Sequence, residues 1–238
     1  MPLKNIKGKN TESAVDFVIK TFKNHLEKKE LRAGDRIPNE TEISEMLSVS
    51  RGSVREAMKI LSAFGVIDIQ RGNGTFIREP DSFSSMEPVM FSFLLMNPSK
   101  KEIIDFRSSI EREVLYLAVD NATKEDIAKM RENIELFKRL PAEGENTEEI
   151  KLERDLEFHH LLGMATHNGF MERIYVFAMN YFRPYLIQTY KGQSEIPELS
   201  IKSHEMLLKP ILERDRSIVA GTIEESNRLW INLAELLL

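Results

Sequence analysis

The spacing of the apolar residues changes at Gly65, and this change constrains the fold more than any other feature of the chain. Before Gly65, apolar residues recur three or four positions apart, as on one face of an α-helix: Val54, Ala57, Met58 and Leu61. After it, apolar and polar residues alternate on both sides of the turn Arg71-Gly72-Asn73-Gly74, which is typical of a β-hairpin. A helix that ends at a left-handed glycine and leads directly into a hairpin is therefore predicted.

Two more helices are predicted before this one. An apolar stripe runs through residues 12–29, and the segment LRAGDRIP ends it. Asn39 and Glu42 have the spacing of a capping box, so a second helix begins there. Only Ser48-Val49-Ser50 separates it from the helix that ends at Gly65. Two short helices joined by a tight turn and followed by a hairpin form the winged helix-turn-helix plan, whose second helix lies in the DNA major groove.

The charge of the chain is unevenly distributed. Residues 1–80 carry 14 basic and 11 acidic side chains, whereas residues 81–238 carry 19 and 27. Phosphate binding needs local positive charge. The net charge of −5 for the whole chain hides the excess of basic residues in residues 1–80. We therefore expect two parts with different partners, and a nucleic acid as the partner of the first.

The polar residues of the third predicted helix have a role in this plan. Ser50 is placed to cap the helix, whose N-terminal amides favour a phosphate. Arg51, Ser53 and Arg55 lie opposite the apolar stripe and point outward. An arginine here can bind guanine in bidentate fashion, which contributes about 1–3 kcal/mol of base discrimination. The alternative is a solvated helix face beside a surface hairpin, but the ordered set of helix, turn, helix and hairpin favours DNA binding.

The same region resembles the DNA-binding domain of the GntR family of bacterial transcription regulators, in the segment AGDRIPNETEISEMLSVSRGSVREAMKILSAFGVIDIQRGNGTFI. The resemblance covers residues 12–78, and the run VSR-x-x-VREA is its most specific part. It implies DNA contacts from the recognition helix and from the wing by six residues: Ser50, Arg51, Ser53, Arg55, Arg71 and Gly72. It departs at Thr41, where many relatives have a basic residue, so one contact of the family is expected to differ.

Beyond the hairpin, the sequence predicts a linker and a helical bundle. Prolines and serines surround a short apolar stretch in residues 80–98. Apolar residues at helical spacing then continue in six segments: 100–120, 124–139, 148–166, 170–190, 197–212 and 216–236. The expected fold class is mostly α, with an N-terminal winged helix-turn-helix and its small β-hairpin wing (1–79), a linker with a short helix (80–98) and a C-terminal all-α antiparallel bundle (99–238).

The bundle resembles the FCD ligand-binding domain of the FadR subfamily of these regulators. The resemblance is carried, within residues 100–215, by the phrases DFRSSIEREVLYLA, RDLEFHHLLGMATHN and HEMLLKPILERD. It implies a domain that binds effectors, commonly small organic or sugar acids. It also implies a divalent ion in many members, held by an Asp-x-x-x-His pair and two further histidines.

Three residues of the bundle have the chemistry and the spacing of metal ligands. Asp155 and His159 are four positions apart on one helix face, and His204 on a later helix can join them. By the resemblance, the fourth ligand falls near Ser226, which is not a histidine. Three alternatives follow. Three protein ligands bind the ion with water, the effector or Ser226 at the fourth position; or the site binds metal weakly; or it binds no metal. Imidazole and carboxylate ligands suit zinc, nickel or manganese.

Two arginines in otherwise apolar helices are candidates for effector binding. Arg107 lies in the first helix of the bundle, and Arg183 lies beside Tyr181 in the fourth. On this interpretation one of them binds a carboxylate of the effector through two parallel hydrogen bonds. The alternative is an ion pair, for instance between Arg107 and Glu111 one turn on.

These features together predict a cytoplasmic, homodimeric repressor. Two winged domains related by a two-fold axis would bind a double-stranded operator with an inverted repeat, and a small acid would control that binding. The absence of cysteine excludes disulfides and thiolate metal sites. The start MPLKNIKGKNTES lacks the apolar core of a signal peptide, and the longest apolar stretch is too short to cross a bilayer, so no membrane partner is expected.

Two other functions are compatible with the same residues. One is a regulator with a metal-free, apolar pocket that responds to an acyl ligand. The other is a small metal-dependent hydrolase that uses Asp155, His159 and His204 with an open metal position. The hydrolase needs a general base at the site, and no motif such as H-E-x-x-H occurs in the chain.

Overall fold

A computed structural model of the chain describes residues 12–79, 87–96, 98–140, 147–190 and 196–235. The chain divides into two compact units, Met1–Phe91 and Ser92–Leu238. The described residues are mostly helical, with one small antiparallel sheet in the first unit, which confirms the predicted fold class. None of the described helices combines the length and the apolar character that a bilayer crossing requires.

The first unit contains three helices and a three-stranded sheet. Its elements, in chain order, are α1 (Ala14–Glu27), β1 (Arg36–Ile37), α2 (Glu40–Leu47), α3 (Arg51–Ala63), β2 (Ile67–Gln70) and β3 (Gly74–Ile77). Strand β3 is central, and both neighbours pair with it in antiparallel fashion. The predicted hairpin is confirmed as β2 and β3, with Ile67 opposite Ile77 and Gln70 opposite Gly74.

Strand β1 was not predicted, because two residues are too few to show an alternating pattern. It adds Arg36 opposite Phe76 and Ile37 opposite Thr75. The inward side chain of Ile37 joins the core of the unit, where the apolar faces of α1 and α3 meet the sheet. Strand β1 therefore ties the segment before α2 to the base of the hairpin.

Local signals fix the boundaries of α2 and α3. Asn39 and Glu42 form the predicted capping box at the start of α2. Ser48, at φ 53°, ends α2 in the left-handed conformation, so the chain turns sharply into α3. Gly65 follows α3 at φ 68°, as the predicted helix end requires. The turn between the two helices is therefore tight and capped on both sides.

The second unit is a helical bundle that begins within α4, the short helix expected in the linker. Its elements are α4 (Glu87–Met96), α5 (Lys100–Asn121), α6 (Lys124–Arg139), α7 (Glu148–Met164), α8 (Gly169–Tyr190), α9 (Ile196–Glu213), a 3-10 turn (Arg216–Ile218) and α10 (Val219–Glu235). These agree with the six predicted segments to within a few residues. Residues 80–86 and 97 of the predicted linker lie outside the described residues.

Helix α5 is the central helix of the bundle. It packs against α7, α8, α9 and α10, while α6 covers α7 and α9 from the other side. Side chains that α5, α7 and α9 bury against each other include charged and polar residues as well as apolar ones. The candidate ligand residues described below lie in this core.

Candidate functional site

The N-terminal end of α3 is exposed and capped as predicted. The Oγ atom of Ser50 accepts a hydrogen bond from the backbone N–H of Ser53 at 3.1 Å, and the two hydroxyl oxygens lie 2.8 Å apart. Arg51 and Gly52 are the first residues of the helix, and both are exposed. This end of α3 therefore presents a cation, hydroxyl groups and free helix amides to the solvent.

Arg55, one turn further along α3, makes an ion pair with the first residue of α2. Its Nε atom donates to Oε2 of Glu40 at 3.1 Å, and both side chains remain largely exposed. An exposed pair of this kind contributes little to stability, about 0–1 kcal/mol. In this arrangement the guanidinium of Arg55 lies beside the first turn of α2.

The tip of the hairpin supplies the other predicted DNA-contacting residues. Arg71, Gly72 and Asn73 form the turn, and all three are exposed. Gly72 has φ 80° and Gly74 has φ 117°, which favour glycine at both positions. A Cβ atom at position 74 would lie only 2.8 Å from Nε of Arg36 on β1, so the missing side chain also lets that arginine pack against the hairpin.

In the bundle, Asp155, His159 and His204 come together as the sequence predicts. Each offers a ligand atom within 4.8 Å of the other two, and all three residues are buried. Nε2 of His204 lies 3.2 Å from Oδ1 of Asp155, and Nε2 of His159 lies 4.0 Å from Oδ2. Atoms bound to one zinc ion at 2.0–2.2 Å are roughly 3–3.5 Å apart, so small side-chain adjustments suffice for binding.

The surroundings of His204 fit a metal ligand. The side chain is 1% exposed, and Nε2 lies 3.2 Å from Oδ1 of Asp155, another candidate ligand. Its ring stacks on Phe158, with the centroids 4.0 Å apart, which fixes the plane of the imidazole. A buried imidazole nitrogen that faces a buried carboxylate has the chemistry of a pair of metal ligands.

The electrostatics of the cluster favour the protonation states that metal binding needs. Burial by itself raises the pKa of Asp155, but His204, His159 and Arg107 outweigh it and hold the pKa well below its usual range. Burial lowers the pKa of the His159 imidazole, and His204 and Arg107 lower it further, against the opposing charge of Asp155. An ionised carboxylate and a neutral imidazole are the forms that bind divalent ions.

The other ring nitrogen of His159 has partners on two further helices. Nδ1 lies 2.7 Å from the hydroxyl of Tyr175 on α8, which donates to Oε1 of Glu111 on α5 at 2.9 Å. Oε1 of Glu111 also lies 3.3 Å from Nδ1 itself. Burial raises the pKa of Tyr175, and the Glu111 carboxylate raises it further, so the phenol keeps its proton.

Ser226, at the fourth predicted position, is buried and bonded to a neighbour. Its hydroxyl lies 2.7 Å from the hydroxyl of Ser203, the residue before His204. The next residue, Asn227, donates from Nδ2 to the hydroxyl of Ser108 on α5 at 2.8 Å. The hydrogen bond to Ser203 places Ser226 on the side of α10 that faces α9.

The predicted effector-binding residues have different environments. Arg107 is 5% exposed, and its charge acts on both Asp155 and His159. Arg183 is partly exposed, pairs with Glu153 on α7, and lines a surface groove between α7 and α8. The structure therefore brings Arg107 to the cluster, whereas Arg183 belongs to the surface.

Tyr181 is buried among aromatic side chains. Its ring centroid lies 5.7 Å from those of Phe93 on α4 and Phe182 on α8.

Two other histidines of the bundle lie outside the cluster and face carboxylates: His160 lies 3.6 Å from Glu172, and His167 lies 2.8 Å from Asp126.

Sequence reasoning missed the roles of Glu111 and Tyr175. The sequence pattern indicates Glu111 only as an ion-pair partner of Arg107, and it places Tyr175 only within the apolar segment 170–190. One signal was present: a glutamate on the buried face of α5, between Ile110 and Val114, needs a polar partner in the core. The partner itself lies 64 positions away in the chain, so no local pattern identifies it.

Comparison with family models gives two matches. Residues 14–77 match the model described as bacterial regulatory proteins, gntR family. Residues 102–225, more than half of the chain, match the FCD domain. The two matches fall on the winged unit and on the helical bundle.

Individual relatives are regulators of transcription. The HTH-type transcriptional regulator LutR of Bacillus subtilis (strain 168) is 27% identical over 192 residues, which cover 81% of this chain and 84% of that protein. The Uxu operon transcriptional regulator of Escherichia coli (strain K12) is 31% identical over 161 residues, which cover 67% of this chain and 58% of that protein.

A solved structure of a Streptococcus agalactiae GntR protein has the same fold. It aligns with a TM-score of 0.64 at 19% identity, over 90% of this chain and 97% of that one. Fold, domain matches and relatives agree with the resemblance seen in the sequence, and they set aside the hydrolase. The chain belongs to the GntR family of bacterial transcription regulators, in the FadR subfamily, and is a regulator with an FCD effector-binding domain and not an enzyme.

Proposed function

We propose that this protein is a repressor whose operator binding is controlled by a small organic or sugar acid held in the bundle together with a divalent metal ion. The observation that carries the proposal is the buried cluster of Asp155, His159 and His204 beside the charge of Arg107. The proposal places the protein in the cytoplasm, where a bacterial operator is reached. It also takes the protein to be a homodimer.

The first unit is proposed to bind the operator through α3 and the wing. The exposed guanidinium groups at the start of α3 suit base edges in the major groove, whereas hydroxyl groups, helix amides and the wing suit phosphates. The proposed contact residues are Ser50, Arg51, Ser53, Arg55, Arg71 and Gly72. A two-fold dimer reads a two-fold site, so the operator is expected to contain an inverted repeat.

The bundle is proposed to hold the ion through Asp155, His159 and His204. Imidazole nitrogen and carboxylate oxygen suit zinc, nickel and manganese. Three protein ligands leave a coordination position for water or for an oxygen of the effector. When bound, the ion supplies a Lewis-acidic contact for a carboxylate or hydroxyl oxygen. Support for the site comes from the burial of the three residues and from the 3.2 Å distance between Nε2 of His204 and Oδ1 of Asp155.

Arg107 is the proposed anchor for the carboxylate of the effector. A guanidinium binds a carboxylate through two parallel hydrogen bonds, which selects for acids over neutral ligands. Its burial strengthens the contact, because water does not screen charges in the core as it does at the surface. Tyr181 and Arg183 remain predictions for this role, and the ion pair of Arg183 with Glu153 makes it the weaker of the two arginines.

Control of DNA binding is proposed to follow from two arrangements of the dimer. The effector shifts their equilibrium only by the difference between its affinities for them. If the acid releases the repressor from the operator, the acid must bind more tightly to the arrangement in which the two winged units fit the operator less well. The same linkage requires operator DNA to weaken the binding of the acid.

The metal and effector parts are tested on protein purified without chelator or metal-affinity resin. Elemental analysis should find about one divalent ion per chain under the proposal. Small carboxylic and sugar acids are then screened for release of a fluorescent operator, with and without zinc, nickel and manganese. Release that needs both acid and ion supports the proposal. Release by an acyl thioester from metal-free protein would support the acyl-responsive alternative instead.

The DNA part is tested by selecting binding sites from random duplexes. The wild-type protein should enrich an inverted repeat, and Arg51→Ala should lose this preference. Arg32→Ala is the matched control, because it removes an exposed arginine from the same unit outside α3 and the wing. Equal enrichment by Arg51→Ala and the wild type would contradict the assigned recognition helix.

A further inference from the structure

A buried chain of hydrogen bonds connects the candidate metal ligand His159 to a carboxylate on another helix. The chain runs from Nδ1 of His159 to the hydroxyl of Tyr175 (2.7 Å) and from that hydroxyl to Oε1 of Glu111 (2.9 Å). His159 is 2% exposed, and the other two side chains are fully buried. Three helices, α5, α7 and α8, therefore meet through polar atoms at this point.

The direction of the hydrogen bonds follows from the number of protons available. A phenol has one proton to donate, and an ionised carboxylate only accepts. Because Tyr175 donates to Glu111, its oxygen must accept from His159, so Nδ1 carries the proton. Oε1 of Glu111, 3.3 Å from the same nitrogen, is a second acceptor and requires the same assignment.

This assignment decides which nitrogen of His159 is free to bind an ion. A neutral imidazole has one N–H and one lone pair, so a proton on Nδ1 leaves the lone pair on Nε2. Nε2 is the atom that faces Oδ2 of Asp155 at 4.0 Å. The nitrogen that lies in the cluster is therefore the one with the lone pair.

We infer that Glu111 and Tyr175 are positioning residues for the metal centre: they hold His159 in its Nδ1–H tautomer and fix its ring so that Nε2 is the ligand atom. The inference rests on the proposed function of the cluster. Hydrogen-bonded partners behind a metal-ligating histidine typically contribute 10–100-fold to metal affinity.

The composition of the core supports a positioning role over simple packing. A carboxylate and a phenol in a helical core cost free energy through lost hydration unless each has a partner. Leucine and phenylalanine would fill the same space without that cost. Glu111 also lies one helical turn from Arg107 on α5, so the ligand-orienting pair and the proposed effector anchor share one helix.

The first test reads the tautomer directly and does not need a metal. The chain has five histidines, so 15N-histidine labelling of the whole protein gives few signals, and His159→Gln identifies those of His159. The wild type should show a protonated Nδ1 and an unprotonated Nε2. Tyr175→Phe should move the equilibrium towards the Nε2–H form. A wild-type His159 with its proton on Nε2 would overturn the inference.

The second test measures zinc affinity by competition with a chelator. Tyr175→Phe should weaken zinc binding about 10–100-fold. Glu111→Gln should weaken it less, because the amide oxygen still accepts from the phenol. The matched control is Tyr116→Phe, which removes a hydroxyl from α5 and keeps the aromatic ring that lies over Arg216. Thermal unfolding without zinc checks that each variant is folded, and Glu111→Gln serves if Tyr175→Phe does not fold.

The outcomes separate this inference from the proposed function. If the wild type binds no zinc, nickel or manganese, the metal centre is wrong and the positioning role is wrong with it. If the wild type and folded Tyr175→Phe and Glu111→Gln bind zinc equally, the centre stands and only the positioning role is overturned. A loss confined to Tyr175→Phe and Glu111→Gln, with Tyr116→Phe unchanged, supports both.

Discussion

Nε2 of His204 lies 3.2 Å from Oδ1 of Asp155, which is within ion-pair distance. Both side chains are buried; burial by itself raises the pKa of Asp155, and His204 contributes most to the opposing shift that lowers it. Their arrangement, side by side with His159 as a common neighbour, is the one that ligands of a single ion adopt. The carboxylate and the imidazole therefore already interact electrostatically without metal, and an ion bound by both would couple them further.

The first prediction concerns Asp155→Asn. A ligand at 100 times its dissociation constant stabilises the folded state by about 2.7 kcal/mol. For a chain of this size, zinc at that excess should raise the melting temperature of the wild type by roughly 5–10 °C. Asp155→Asn should lose most of this increase, because a neutral amide is a weaker ligand than a carboxylate. Differential scanning fluorimetry with and without zinc measures both values.

The control for this prediction is Asp120→Asn. Asp120 is an exposed carboxylate on α5 that pairs with Arg216, so its loss removes the same charge away from the buried cluster. It should leave the zinc-induced increase unchanged. An undiminished increase in Asp155→Asn would show that zinc binds elsewhere on the protein.

The second prediction is a gain of affinity in Ser226→His. The family resemblance puts the fourth ligand near position 226, and Ser226 faces α9 through its hydrogen bond to Ser203. A histidine there should supply a fourth nitrogen and tighten zinc binding at least about 10-fold, a change of about 1.4 kcal/mol. Isothermal titration calorimetry with a competing chelator measures this change.

Asn227→His places the same side chain one position further along α10, where the residue faces Ser108 on α5. A neighbouring helical position points about 100° away, so this histidine should not tighten zinc binding. If Asn227→His tightens binding and Ser226→His does not, the fourth position is misassigned by one residue.

The third prediction compares Arg107→Gln with Arg183→Gln. Arg107 is buried beside the cluster, so its loss should abolish the response of the operator complex to the acid found in the screen. Arg183 pairs with Glu153 at the surface, so its loss should leave the response within about 2-fold and reduce stability by less than about 1 kcal/mol. Fluorescence anisotropy of labelled operator, titrated with the acid, distinguishes the two. The reverse pattern would move the effector site to the groove between α7 and α8.

Features that depend on residues close together in the chain are predicted from the sequence, whereas features that depend on residues far apart are not. The capping pair Asn39/Glu42 is local, and it marks a helix start in the structure. Pairing of β1 with β3 depends on residues 38 and 40 positions apart, and the two residues of β1 show no period of their own.

The candidate metal site shows the same division. Asp155 and His159 are four positions apart on one helix, so their proximity follows from helical geometry. The sequence offers His204 only as a histidine on a later helix that can join them, and packing of α9 on α7 brings it there. Glu111 and Tyr175 are joined only by tertiary contact, and their types alone did not indicate a shared role.

The last prediction separates the two kinds of DNA contact by their dependence on salt. Arg55, on the recognition helix, is expected to read a base, so Arg55→Ala should weaken operator binding by about 1–3 kcal/mol and leave non-specific binding nearly unchanged. Arg71, at the exposed tip of the wing, is expected to bind a phosphate. Arg71→Ala should therefore weaken operator and non-specific DNA alike and reduce the slope of log affinity against log salt by about 1 per chain. Anisotropy titrations from 50 to about 200 mM salt measure both effects. If Arg71→Ala leaves both the salt slope and the preference for the operator unchanged, the wing does not contact the DNA backbone.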